Sequence, residues 1–189
     1  MSGTGVTGII LSGGLGRRMG GVDKGLVQVR GRPMIAHVIE RLAPQVDEIV
    51  INANQNLDAY AAFGHPVVRD EVPGFAGPLA GLHAGLGAAS GDLAVTVPCD
   101  SPFLPADLVA RMRAALGAAD LAVAKTGDRP HPVFCLLHAR LRPHLGAFLA
   151  AGGRKIDAWY ASLAVVEVAF DDEAGAFRNL NTPEDLERA

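Results

Sequence analysis

The sequence predicts an α/β fold: a largely parallel mixed sheet with helices packed on both faces. Three observations carry that reading. Short apolar, β-branched runs recur along the chain, segments with helical apolar spacing lie between several of them, and the first run empties into a glycine-rich basic loop.

Taken in order, strand-like runs fall at about 8–12, 48–52, 66–69, 93–98, 120–124, 132–137 and 164–168. Pro33 through Leu42 sets Ile35, Val38, Ile39 and Leu42 on one helical face, with Pro33 suited to a first turn. Pro78 through Ala89 is a small-residue helix whose Gly81, Gly85 and Gly87 allow close approach to a sheet. Pro105 through Leu116 repeats the amphipathic pattern with Leu108, Val109, Met112 and Leu116, and places Asp107 in the first turn, where its charge suits the helix dipole. The short connection Thr126–Pro130 lets 132–137 pair with 120–124 as a hairpin, which makes the sheet mixed. No repeat, low-complexity tract or long linker divides the chain, so its 189 residues read as one domain.

Composition excludes several classes. The chain is 49% hydrophobic and 20% charged, with a formal net charge of −3, which argues against a nucleic-acid binder. No apolar run approaches the roughly 18 residues of a membrane span, and the segment from Met1 has neither the basic region nor the apolar length of a signal peptide. Cys99 and Cys135 lie far apart with no C-x-x-C pattern, so free thiols and a cytoplasmic location are expected.

The glycine loop carries the chemistry. Gly13, Gly14, Gly16, Gly20 and Gly21 free backbone N–H groups to turn toward an anion, and Arg17, Arg18 and Lys24 bring positive charge to the same place. A triphosphate needs that combination. The loop is not a Walker A motif, because Asp23 precedes Lys24 and Gly25 follows it. Nor is it the dinucleotide fingerprint, since Met19 stands where the third glycine belongs. Lys24 is one of only three lysines, and lysine is a compact point charge suited to a phosphate within a loop.

In an open α/β sheet ligands sit beyond the carboxyl ends of the strands. Polar residues follow four consecutive parallel candidates there: the glycine loop, Asn52-Ala53-Asn54, Asp70-Glu71, and Cys99-Asp100-Ser101-Pro102. Asp100 fits the sparse carboxylate requirement of Mg²⁺, which prefers one or two carboxylates plus substrate phosphates; its other reading is a helix cap or Asx-turn. Asp70 either binds a ribose hydroxyl or closes a turn, and Cys99 reads as a small buried apolar group. Arg154 and Lys155, after Gly152-Gly153, form a second glycine-plus-cation cluster, equally readable as a second anion site or an ordinary helix start.

The string L-S-G-G-L-G-R-R-M-G-G-V-D-K-G-L resembles the signature loop of the molybdenum cofactor guanylyltransferases. Further matches follow in order: N-A-N at 52–54, G-P-L-A-G at 77–81, P-C-D-S-P-F-L-P at 98–105, H-P-V-F at 131–134 and N-L-N-T-P-E-D-L at 179–186. One departure is Ser12, where alanine is usual; a serine is small enough to keep the turn. The resemblance implies a three-layer, Rossmann-like nucleotidyltransferase fold, with a GTP-binding half over 1–105 and a molybdopterin-binding half over 106–189. It implies transfer of GMP from GTP to Mo-molybdopterin with release of pyrophosphate. Carried onto this chain, Leu11, Ser12 and Gly13 would contact the guanine side, Gly14 and the following loop the phosphates, and Asn52 and Asp70 the base or ribose. Lys24, Arg18 and Asp100 would be the catalytic set, with Asp100 holding Mg²⁺. Arg154, Lys155, Asn179 and Asn181 would serve the second substrate, and His131 would touch substrate.

The implied partners are GTP, Mo-molybdopterin, molybdenum-insertion proteins, and apo-molybdoenzymes or their chaperones, with no nucleic acid or membrane and the chain as a monomer. Two rivals stand beside this reading. One is another nucleotidyltransferase, using CTP on the same cofactor or acting on a sugar phosphate. The other is a non-catalytic carrier that binds nucleotide and cofactor without releasing pyrophosphate.

Overall fold

The computed structural model describes residues 5–13, 23–72 and 77–187. Strand β1 (Val6–Leu11) alternates its side chains between two apolar layers, Val6 and Ile10 on one face and Ile9 on the other. It lies in the interior of the sheet, where both faces need cover. A two-stranded ribbon, β2 (Gln28–Val29) and β3 (Arg32–Pro33), leads into α1 (Met34–Leu42). Helix α1 buries Ile35, Val38 and Leu42, and Pro44 ends its α-helical course in a 3-10 turn.

Strand β4 (Glu48–Asn52), the short α2 (Leu57–Ala61) and β5 (Val67–Val68) follow. Helix α3 (Pro78–Ala88) opens with proline at its first position after Gly77, whose φ is 68°. Gly81 and Gly85 face the sheet as expected, whereas Gly87 lies against the Arg142 guanidinium instead. A Cβ on Gly85 would lie 2.5 Å from Ile9 Cγ2, so only glycine lets the helix approach β1 this closely.

Strand β6 (Leu93–Pro98) leads to α4 (Leu108–Leu116), which stops at Gly117 with φ of 50°. The hairpin of β7 (Leu121–Thr126) and β8 (Arg129–His138) is antiparallel, with a register shift between Val123 and Ala124. After it come α5 (Arg142–Ala150), α6 (Ile156–Tyr160), β9 (Val165–Ala169) and α7 (Pro183–Glu187).

The described residues build a seven-stranded sheet in the order β5-β4-β1-β6-β8-β7-β9. Strands β5, β4, β1 and β6 are parallel, β8 runs against both β6 and β7, and β9 is parallel to β7. One face is covered by α1, α2 and α4, the other by α3, α5 and α6, so the sheet is the middle of three layers. Full burial of each Ile, Leu or Met side chain in these layers contributes about 1.5–3 kcal/mol.

The expected α/β class and mixed, mostly parallel sheet are therefore observed. Details differ. Strand β5 spans two residues rather than four, β8 is longer than expected, and α4 starts at Leu108, so Asp107 flanks the helix instead of lying in its first turn. Its carboxylate reaches Arg111 at 3.7 Å. Both cysteines are buried and unbridged.

Candidate active site

Three strand ends meet at one rim. Leu11 pairs with Asn52 on one side and with Pro98 on the other. Two backbone bonds extend the ladders past the strands: Ser12 N–H donates to Asn52 C=O at 2.8 Å, and Cys99 N–H donates to Leu11 C=O at 3.1 Å. From β1 the chain moves outward to β4 on one side and later to β6 on the other, so strand order reverses here. The entry to the glycine loop and the Cys99–Asp100 turn thus share one crevice. Gly14, Arg17 and Arg18 lie outside the described residues.

The loop exit returns to the same place. Lys24 Nζ stands 3.2 Å from Asp100 Oδ2 and also donates to Asn181 Oδ1. Asp100 is buried at 8% exposure, which makes a solvated turn carboxylate a poor description of it. The stretch 179–181 runs along the same turn: Leu180 N–H donates to Asp100 C=O at 2.9 Å, and Ser101 Oγ donates to Asn179 Oδ1 at 2.7 Å.

A capping box fixes this stretch. Asn181 and Thr182 N–H groups donate to Asp185 Oδ2 at 3.0 Å each, while Asp185 N–H donates to Thr182 Oγ1 at 3.2 Å. The backbone bond from Asn181 is the first of the contacts that hold the Asp185 carboxyl below its ordinary range.

On the other side of β1, Asp70 is held by amides. Asn52 Nδ2 and Asn54 Nδ2 each donate to one of its oxygens at 2.9 Å, and Asp70 N–H donates to Asn54 Oδ1 at 2.9 Å. Two glycines frame this group. A Cβ on Gly13 would lie 3.0 Å from both Asn52 Oδ1 and Asn54 Nδ2, and one on Gly81 would lie 2.3 Å from Asn52 Oδ1. Glycine at these positions keeps the amide surface open and places α3 directly against Asn52.

Cys99 is inert here: burial first, and then the Asp100 charge, push its thiol up to about 12. Ser12 is buried in the crevice floor. His131 stacks on Phe177 with ring centroids 4.6 Å apart and shares a 2.8 Å hydrogen bond with Thr126 Oγ1. Arg154 donates to the Leu149 and Gly153 carbonyls at the end of α5, and Lys155 is the residue before α6. Neither is hydrogen-bonded to the Lys24–Asp100–Asn181 group. The sequence places Asn54 and Ser101 among the polar residues at the strand ends but assigns neither a role. Their signal was position alone, Asn54 two residues past Asn52 and Ser101 directly after Asp100.

Among the described residues no group of three or more His, Cys, Asp or Glu side chains is placed to hold a metal. The donors that are present, the Asp100 carboxylate and the Asn181 carbonyl oxygen beside a phosphate-loop lysine, are hard oxygens. They suit an ion such as Mg²⁺, which takes much of its shell from water and substrate phosphates.

Residues 8–165 match the MobA-like NTP transferase domain family. The chain is 56% identical over 182 residues to a molybdenum cofactor guanylyltransferase of Shewanella amazonensis, spanning 95% of this chain and 93% of the relative. A Shewanella sp. (strain MR-4) relative with the same description is 54% identical, at 95% and 92% coverage. This chain belongs to the molybdenum cofactor guanylyltransferase family. The fold agrees with that placement. A crystal structure of molybdopterin-guanine dinucleotide biosynthesis protein A from Archaeoglobus fulgidus superposes with a TM-score of 0.79 at 27% identity, covering 96% of this chain and 95% of that one. As a member of the guanylyltransferase family the chain is a nucleotidyltransferase. No helix among its described residues is long and apolar enough to cross a membrane.

Proposed function

We propose that this guanylyltransferase transfers GMP from GTP to the terminal phosphate of Mo-molybdopterin, forming the guanine dinucleotide cofactor and pyrophosphate. The observation that carries the reading is the convergence of Lys24, Asp100 and Asn181 at the ends of β1 and β6, beside the amide-braced Asp70.

The attacking group is a phosphate oxyanion, so no serine or cysteine nucleophile is needed, and the neutral Cys99 thiol supplies none. The obstacle is to bring two polyanions together with the attacking oxygen in line with the α-phosphorus. Alignment of this kind is worth up to about 7–11 kcal/mol. Lys24 offsets phosphate charge at the loop exit, and Asn181 holds its ammonium in place from the far side. Asp100 would hold Mg²⁺, which neutralises charge on the triphosphate and the leaving pyrophosphate. Asp70, an acceptor when ionised, is oriented by Asn52 and Asn54 to take donors from the guanine edge or the ribose. Arg18, which lies outside the described residues, is the proposed further cation for the phosphates. Asn179, Asn181, Arg154 and Lys155 are the proposed contacts of the molybdopterin phosphate.

The reaction belongs in the cytoplasm, with the chain as a monomer, molybdenum-insertion proteins upstream, and apo-molybdoenzymes or their chaperones downstream. Family membership supports this setting. The test is turnover of Mo-molybdopterin with Mg²⁺ and GTP against CTP, following pyrophosphate and the dinucleotide product. The expected outcome is strong GTP preference. Preference for CTP, or nucleotide binding without pyrophosphate release, overturns the reading.

A further inference from the structure

Asp23 is an anomaly. It sits immediately before Lys24 in a loop built to attract phosphate, where an unshielded carboxylate would repel the ligand. The structure turns it the other way. Its Oδ1 accepts a short hydrogen bond from the Tyr60 hydroxyl, and its Oδ2 accepts one from Asn56 Nδ2 at 3.0 Å.

Tyr60 is fully buried under the loop exit. A Cβ on Gly25 would lie 2.5 Å from its hydroxyl oxygen, so residue 25 rests on the phenol itself. The residues on both sides of Lys24 are therefore seated on one side chain of α2. Asp23 C=O in addition accepts from Leu26 N–H at 3.0 Å, which closes the 3-10 turn Lys24–Leu26. Asn56 reaches Asp23 from a left-handed backbone conformation, φ 50°, at the start of α2, and its C=O accepts from Tyr60 N–H at 3.2 Å. Burial, then Cys99 and Asp23, raise the phenol far above its ordinary range, so it remains a donor at any working pH.

We propose that Tyr60 and Asp23 are positioning residues that seat Lys24 for GTP, the buried phenol and Asn56 absorbing the Asp23 charge and fixing the backbone at the loop exit. This rests on the reading of Lys24 as the phosphate cation. It separates the roles of two adjacent charges: Lys24 faces the ligand, and Asp23 ties the loop to α2.

The test compares Tyr60→Phe, Asp23→Ala and Asp23→Asn with the unaltered chain, using calorimetric Mg-GTP affinity and steady-state kinetics on both substrates. Tyr60→Phe and Asp23→Ala should each weaken GTP affinity and raise the KM for GTP about tenfold, leaving the KM for Mo-molybdopterin within about twofold. Asp23→Asn keeps an acceptor for the phenol and should hold GTP affinity within about threefold of the unaltered chain. The double variant Tyr60→Phe/Asp23→Ala should be no worse than Asp23→Ala alone. Unchanged GTP affinity in a folded Tyr60→Phe, or an Asp23→Asn as weak as Asp23→Ala, overturns the proposal; the two Asp23 variants decide it if Tyr60→Phe does not fold. Failure of the unaltered chain to transfer GMP overturns the functional reading instead, because GTP affinity is measured without transfer.

Discussion

Lys24 and Asp100 lie 76 residues apart in the chain and 3.2 Å apart in space. Their side chains keep 24% and 11% exposure, so the pair is partly shielded from solvent and open on one side. A pair so placed is organised for a charged ligand more than for stability, since losing the Asp100 carboxylate leaves no buried charge behind: the Lys24 ammonium, on the more exposed side, stays within reach of water and of Asn181. Asp100→Ala should lower turnover by a hundredfold or more, about 3 kcal/mol of transition-state stabilisation, with little change in melting temperature. Near-normal activity in a folded variant would remove the metal assignment.

Lys24→Arg tests charge against shape. Arginine keeps the positive charge but replaces the compact ammonium that sits between Asp100 and Asn181 with a larger planar fork. The expected loss is about tenfold or more in kcat/KM for GTP, measured by initial rates. Full activity would show that any cation suffices.

Gly81→Ala should be costly despite its helix. Alanine in place of glycine in a helix interior usually stabilises by about 0.5–1 kcal/mol. Here the new methyl would collide with Asn52 Oδ1, and through Asn52 it would disturb Asp70. The KM for GTP should rise about tenfold, with no gain in melting temperature. A more stable variant with unchanged KM would show that Asn52 can move without consequence.

His131 gives a pH signature. Burial, and then the Arg129 charge, depress its pKa below the ordinary histidine value, so the folded protein favours the neutral ring stacked on Phe177. With the unfolded value higher, this contribution to stability is present above about pH 6.5 and is lost as pH falls through the lowered folded value. His131→Phe keeps a ring for the stack and should lose less stability than the unaltered chain between about pH 7 and about pH 5, read from urea midpoints. Identical losses would place the acid sensitivity elsewhere.

The sheet was legible because its inner strands β1 and β6 are buried on both faces and carry largely apolar runs such as Leu93–Val97, interrupted only by the buried Thr96. Helices α1, α3 and α4 announced themselves through apolar or small-residue spacing with flanking prolines. The misses have physical causes. Helices α2 and α6 span five residues each, too few for a periodic signal, and α5 contains Pro143 and Gly146. The ribbon β2–β3 pairs only two residues per strand. At the site, Asp70, Asp100 and Lys24 were readable as charges at strand and loop ends. That Asn54 braces Asp70, or that Tyr60 takes the Asp23 carboxylate, was not readable, because each contact joins groups whose chemistry is ordinary until the fold brings them together.

The most direct measurement is a crystal structure of this chain with Mg²⁺ and a non-hydrolysable GTP analogue. The account predicts the triphosphate at the ends of β1 and β6, against Lys24, with the divalent ion on an Asp100 carboxylate oxygen. A nucleotide bound at another edge of the sheet, or an ion that does not touch Asp100, would contradict it.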